Sequence, residues 1–147
     1  LQAFTKIYAV PGIRLGYGIS SDKALLERME TVRQPWSVST PAQAAGLSAL
    51  KEDHREEQTR QLVKSERERM EKELENLRIE YIPSEANFLL FNSEINWFEE
   101  LKKRGILIRD CANYRGLGNG WYRMAVRLPE ENDRLLECMK QVLNERS

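Results

Sequence analysis

The sequence predicts an α/β chain that ends in a small α+β layer, a sheet covered on one face by helices. Three observations predict it. From about residue 79 the apolar periodicity reads strand, strand, helix, strand, strand, helix. Before that point helical spacing dominates, as in Leu25, Leu26, Met29 and Val32. Proline and glycine stand at the joints between the segments, at Pro35, Pro41, Gly105 and Pro129.

The elements follow in order. Pro11-Gly12 marks a sharp reversal, after which Ile13, Leu15 and Tyr17 alternate with Arg14, Gly16 and Gly18 as in a strand. Its glycines share one face, where another group could approach the backbone closely. Ser21-Asp22 starts a first helix that runs up to Pro35. Pro35 to Pro41 is a loop in which Trp36 reads as a packing plug, with lining a site as the alternative. A second helix runs from Thr40 through Leu50, with small residues suited to close packing. Asp53 caps a third, from about His54 to Leu77, striped by Val63, Met70, Leu74 and Leu77. On it Glu68 with Lys72 and Arg69 with Glu73 are expected to pair at i,i+4, and its charges read as a solvated face. His54 reads as solvent-facing.

Ile79, Tyr81 and Pro83 give a short strand, and the continuous apolar run Asn87 to Phe91 a buried one. Ile95 to Arg104 is a helix with Gly105 at its C′ position. Ile106-Leu107-Ile108 begins another strand, and Trp121 to Leu128 alternates as the next. Pro129 at N1, followed by Glu130 and Glu131, opens the last helix.

Composition narrows the function classes. Lys+Arg and Asp+Glu balance at 23 each, so nothing argues for a nucleic-acid partner. No apolar run approaches membrane-spanning length and no signal peptide is visible. Two distant cysteines and one histidine exclude a zinc knuckle and a disulfide framework, which makes a reducing cytoplasm the default. The chain opens on Leu1, five residues before a chemically loaded lysine, and the expectation is that a larger protein lies upstream.

Two stretches carry chemistry. In the first, Lys6 stands behind the hydroxyl of Thr5, and Arg14 follows eight positions on between Gly12 and Gly16. By itself such a lysine is a surface charge. In the second, Ile108 to Leu117 ends a strand in a dense run of polar groups, and Arg123 shares a strand face with Ala125 and Arg127. Arginines at strand ends suit planar oxyanions, because the guanidinium fork binds carboxylate or phosphate bidentately. The alternative is arginines in surface ion pairs.

The string Thr5-Lys6, then Gly12-Ile13-Arg14-Leu15-Gly16, resembles the lysine segment of the fold-type-I pyridoxal-phosphate (PLP) enzymes. The resemblance extends over essentially the whole chain. Ile106 to Arg109, Cys111 to Tyr114, Tyr122-Arg123, Pro35 to Val38 and Ala86 to Leu90 resemble the histidinol-phosphate aminotransferase group. Within it they are most similar to the threonine-phosphate decarboxylases of cobalamin biosynthesis.

The resemblance implies the C-terminal portion of a PLP-dependent transferase-like fold. Residues 1–52 would be the end of the large cofactor-binding domain, and 53–147 the C-terminal small domain. It implies Lys6 as the Schiff-base lysine, Thr5 and Arg14 as holders of the cofactor phosphate, Arg123 for the substrate α-carboxylate and Arg109 for the substrate phosphate. Arg127 has no such role and reads as structural. Ala3 stands where relatives often carry Ser or Thr. The family's pyridinium partner and ring-stacking aromatic lie upstream of the lysine. The partners implied are a small phosphorylated amino acid or amine, and a second copy of the enzyme in a homodimer. Transamination of histidinol phosphate is the alternative activity, and a non-catalytic module the alternative of another class.

Overall fold

The computed structural model describes residues 2–52 and 54–146. The chain divides into two compact units, Leu1–Thr59 and Arg60–Ser147. Each unit mixes helices with an antiparallel sheet, a mixed chain of α and β elements. Asp53, the expected cap of the long helix, lies outside the described residues.

In the first unit, β1 (Gln2–Ala3) pairs antiparallel with β2 (Gly16–Tyr17), Gln2 opposite Tyr17 and Ala3 opposite Gly16. The chain between them makes a one-turn helix α1 (Phe4–Ile7) and a 3-10 turn at Pro11–Ile13. The strand expected from Ile13 to Gly18 is thus only two residues long. Pro11 and Gly12 go into the turn, and Arg14 caps it at φ +55°, a left-handed conformation that no strand tolerates. Gly16 uses its missing side chain for strand pairing, since a Cβ there would meet the Gln2 carbonyl at 2.8 Å. Phe4 is buried and stacks on Tyr8 at 4.9 Å.

Helix α2 (Lys23–Val32) starts where expected, with the Asp22 carboxylate accepting from the Leu25 amide. Its apolar stripe is nevertheless uncovered by these residues: Leu25, Leu26, Met29 and Val32 are all exposed. Helix α3 (Thr40–Ala49) buries Ala42 and Gly46, and a Cβ at Gly46 would run into Leu15 at 2.6 Å. Trp36 corrects the packing-plug expectation: it is 96% exposed, on a backbone in the left-handed region at φ +59°.

The long helix α4 (Arg55–Asn76) has Met70 and Leu74 fully buried, with Val63 and Leu77 packed beside them. The expected i,i+4 pairs are replaced by others: Lys64 with Glu68, Arg69 with Glu66 and Asp133, and Lys140 with Glu73. Arg69 and Glu73 reach tertiary partners on the last helix, while Glu68 takes Lys64 one turn earlier in place of Lys72.

The second unit is a four-stranded antiparallel sheet in the order β3 (Glu80–Ile82), β4 (Phe88–Asn92), β6 (Trp121–Ala125), β5 (Arg109–Asp110). One face buries Leu89, Phe91, Tyr122 and Met124 in a core with Trp97 and Leu101 of α5 (Trp97–Lys103). Leu135, Leu136, Met139 and Val142 of α6 (Pro129–Asn144) complete it. Each such side chain contributes about 1.5–3 kcal/mol by leaving water. The other face is open: Phe88 and Leu90 are only half-buried, so the run 87–91 alternates in burial and is not enclosed on both sides. Gly105 follows α5 at φ +73°, as the C′ position expects. The strand expected from Ile106 begins only at Arg109, and Leu107 is left exposed.

A polar clamp centred on the buried Asn132 and Glu66 joins α4, α6 and the segment between β6 and α6. Asn132, on the first turns of α6, donates from Nδ2 to Glu66 Oε2 (2.7 Å) and to the Arg127 carbonyl (3.0 Å). Its Oδ1 accepts from the Arg127 amide at 3.0 Å. Arg69 grips Glu66 with Nε and Nη2 (3.1 and 2.7 Å) and Asp133 with Nη1 (2.7 Å).

Replacing Asn132 with Ala leaves the buried Glu66 and both part-buried Arg127 backbone groups short of partners. The expected cost is about 3 kcal/mol, a fall in melting temperature on the order of 10 °C. A change below about 1 kcal/mol would mean that water replaces the amide without loss.

The Arg69 hydrogen bond, helped by Asn132, holds the Glu66 carboxyl below the usual carboxylate range against the opposing effect of burial. A folded value lower than the unfolded one stabilises the fold above the unfolded value, near about 4.3. That stability is lost as pH falls through the folded value. Glu66→Gln is therefore expected to flatten the acid limb of the stability–pH profile below that point in urea titrations. An unchanged acid limb would contradict this.

Candidate active site

The five candidate residues fall into two groups, one in each unit. In the first, Thr5 and Lys6 lie on α1, directly after Phe4, whose amide donates to the Leu15 carbonyl at 3.1 Å. Arg14 directly precedes Leu15. The β1–β2 bridge therefore brings Thr5, Lys6 and Arg14 to neighbouring positions of one small motif. Thr5 is half-buried, while Lys6 and Arg14 are exposed. Hydroxyl, amine and guanidinium form a donor set that fits the aldehyde and phosphate ends of PLP.

Arg14 occupies the left-handed region, which costs a non-glycine residue on the order of 1–2 kcal/mol. Strain of this kind clusters where a side chain has a function.

In the second unit, Arg109 on β5 stands opposite Arg123 on β6. Directly opposite residues of antiparallel strands share a face, with Cβ atoms about 5 Å apart. Leu90 lies opposite Arg123 and Phe88 opposite Ala125, so this is the open face of the sheet. Two like charges placed so are destabilising unless something offsets them. Among the described residues, neither guanidinium has a carboxylate within ion-pair distance, unlike Arg33, Arg69, Arg104, Arg127 and Arg146. Each instead has an aromatic ring. Arg123 lies over Phe88 at 5.0 Å and Arg109 over Tyr114 at 5.6 Å.

The loop after β5 folds back onto Arg109. The Asp110 carboxylate accepts from the Ala112 amide at 2.8 Å, and the Cys111 carbonyl from the Tyr114 amide at 2.9 Å. The second turn returns Asn113, whose Oδ1 accepts from Arg109 Nη2 at 3.0 Å. Cys111, the first residue of this turn, is fully buried. Burial pushes its thiol up, while Arg123 and Arg109 pull the other way. Arg127 pairs with Glu131 at 2.8 Å.

Residues 1–138 match the family described as aminotransferase class I and II. The chain belongs to this family. Among its relatives, the threonine-phosphate decarboxylase of Salmonella typhimurium is 40% identical, over 97% of this chain and 40% of the relative. The histidinol-phosphate aminotransferase of Symbiobacterium thermophilum is 38% identical, over 98% of this chain and 40% of the relative. The solved histidinol-phosphate aminotransferase from Clostridium acetobutylicum superposes with a TM-score of 0.91 at 32% identity, over 97% of this chain and 45% of that one. The chain spans about 40% of the length of the curated relatives it matches. For an aminotransferase-family chain, an arginine pair on an open sheet face and a Thr-Lys motif beside a strained arginine are the two chemically loaded places.

Asn113, Tyr114 and Phe88 escaped the sequence reading as partners of the arginines. The signal available was the spacing Arg109 to Asn113, four residues across a turn rather than a helix.

The strain at Arg14 gives a test that needs no activity. Arg14→Gly is expected to keep or raise the melting temperature, because glycine adopts the left-handed region freely. A marked loss of stability would show that the arginine side chain is structural.

Proposed function

We propose that this chain is the C-terminal part of a PLP-dependent enzyme that acts on a small phosphorylated amino acid, as a threonine-phosphate decarboxylase does. Residues 1–52 are the end of its cofactor-binding domain, and 53–147 its small C-terminal domain. The observation that carries the reading is the facing pair Arg109 and Arg123, two guanidiniums without carboxylate partners on one open face. Such a pair suits a substrate with two anionic ends. The relatives named above support the family of chemistry.

PLP, when bound, supplies an electron sink for electrons released at the substrate α-carbon. The chain's own residues do the rest. The Lys6 amine would hold the cofactor at its aldehyde end and would carry a proton to or from the substrate α-carbon. The Thr5 hydroxyl and the Arg14 guanidinium hold the cofactor phosphate. Arg123 binds the α-carboxylate and Arg109 the distal phosphate. Which bond breaks depends on how these two anchors orient the substrate. The enzyme is read as a cytoplasmic homodimer of cobalamin biosynthesis. This chain by itself is read as inactive, because the stacking ring and pyridinium partner of the family are not among its residues.

The second reading, transamination of histidinol phosphate, is favoured by the relatives that bear that name. Histidinol phosphate has no carboxylate, so it would engage only one of the two arginines in its anionic role. The complete enzyme is expected to release carbon dioxide from O-phosphothreonine. Glutamate formation from histidinol phosphate and 2-oxoglutarate, without that carbon dioxide, would establish the second reading instead. Under either, Arg109→Ala should weaken the phosphorylated substrate by about 1.5–3 kcal/mol, the scale of a hydrogen bond to a charged group.

A further inference from the structure

Arg109 is exposed at the end of a two-residue strand, and a free arginine there would sample many rotamers. Two neighbours restrict it: the Asn113 amide oxygen at 3.0 Å and the Tyr114 ring at 5.6 Å. Both sit on a turn that is itself fixed, by the Asp110 side chain and by the Cys111 carbonyl. We propose that Asn113 and Tyr114 are positioning residues that aim Arg109, and that Asn113 makes this end of the site select a phosphate over a carboxylate.

The chemistry of the contact supports the second half. A guanidinium only donates, so the atom that meets it must be the amide oxygen of Asn113. That fixes the amide orientation and leaves the Nδ2 donors on the other branch of the amide. Arg109 spends one of its five N–H donors on Asn113, which leaves four. The two side chains together offer more donors than the two oxygens of a carboxylate use. A phosphate monoester, with three acceptor oxygens and about two charges near neutral pH, can use them. Tyr114 contributes its ring face, which favours a cation beside it.

The inference rests on the reading of Arg109 as the phosphate anchor, and the test separates the two. The affinities of the 147-residue chain for O-phosphothreonine and for glutamate are measured by titration calorimetry, with melting temperatures as a check on folding. The expected result is a phosphothreonine preference that falls at least tenfold in Asn113→Ala and further in Asn113→Asp, which replaces the donor by a negative charge. Tyr114→Phe, which keeps the ring, should match the wild type. If Arg109→Ala abolishes the preference while both Asn113 variants keep it, the positioning role is wrong and the anchor stands. If Arg109→Ala also keeps the preference, or if the unmodified chain binds neither probe, the anchor itself fails and Asn113 with it.

Discussion

The open face of the sheet depends on one buried amide. Asn132 bonds both the amide and the carbonyl of Arg127, and so ties the segment that follows β6 to the first turns of α6. Glu66 ties the same amide to α4, and Arg69 holds Glu66. A carboxylate out of water is costly unless its lone pairs are filled. Here three donors meet its two oxygens, so the site is stabilising only while it is complete. The segment that leaves β6 is thereby tied to α4 and α6, and Arg123 lies on the face of β6 opposite the core.

Sheet geometry then decides what that face can do. Period-two alternation puts Leu89, Phe91, Tyr122 and Met124 into the core, and sends Phe88, Leu90 and Arg123 the other way. Register adds Arg109 opposite Arg123. The repulsion this creates is tolerated because each guanidinium has a ring beside it and the face is open to solvent. An anion between them would turn an unfavourable pair into two charge-assisted contacts. The core pays for an arrangement that the face could not sustain alone.

Much of this was legible in the sequence. Caps and punctuation placed α2, α5 and α6 within a few residues, because Asp22, Gly105 and Pro129 act locally. Candidate arginines were legible as residue types on strands. Three things were not. The run Asn87 to Phe91 gives no sign that one face is uncovered, because an apolar side chain reads the same whether or not a neighbour arrives. Ion pairing on α4 could not be foreseen, since Arg69 and Glu73 are drawn to residues of α6 more than sixty positions away. Lastly, the role of Asn113 requires knowing that the chain turns back after Asp110, which is a property of loop geometry and not of spacing.

A crystal structure of this chain soaked with O-phosphothreonine tests the central claim most directly. The account predicts the ligand on the open sheet face, its phosphate on Arg109 and Asn113 and its carboxylate on Arg123. A ligand bound elsewhere, or an open face that stays empty at saturating concentration, would contradict it.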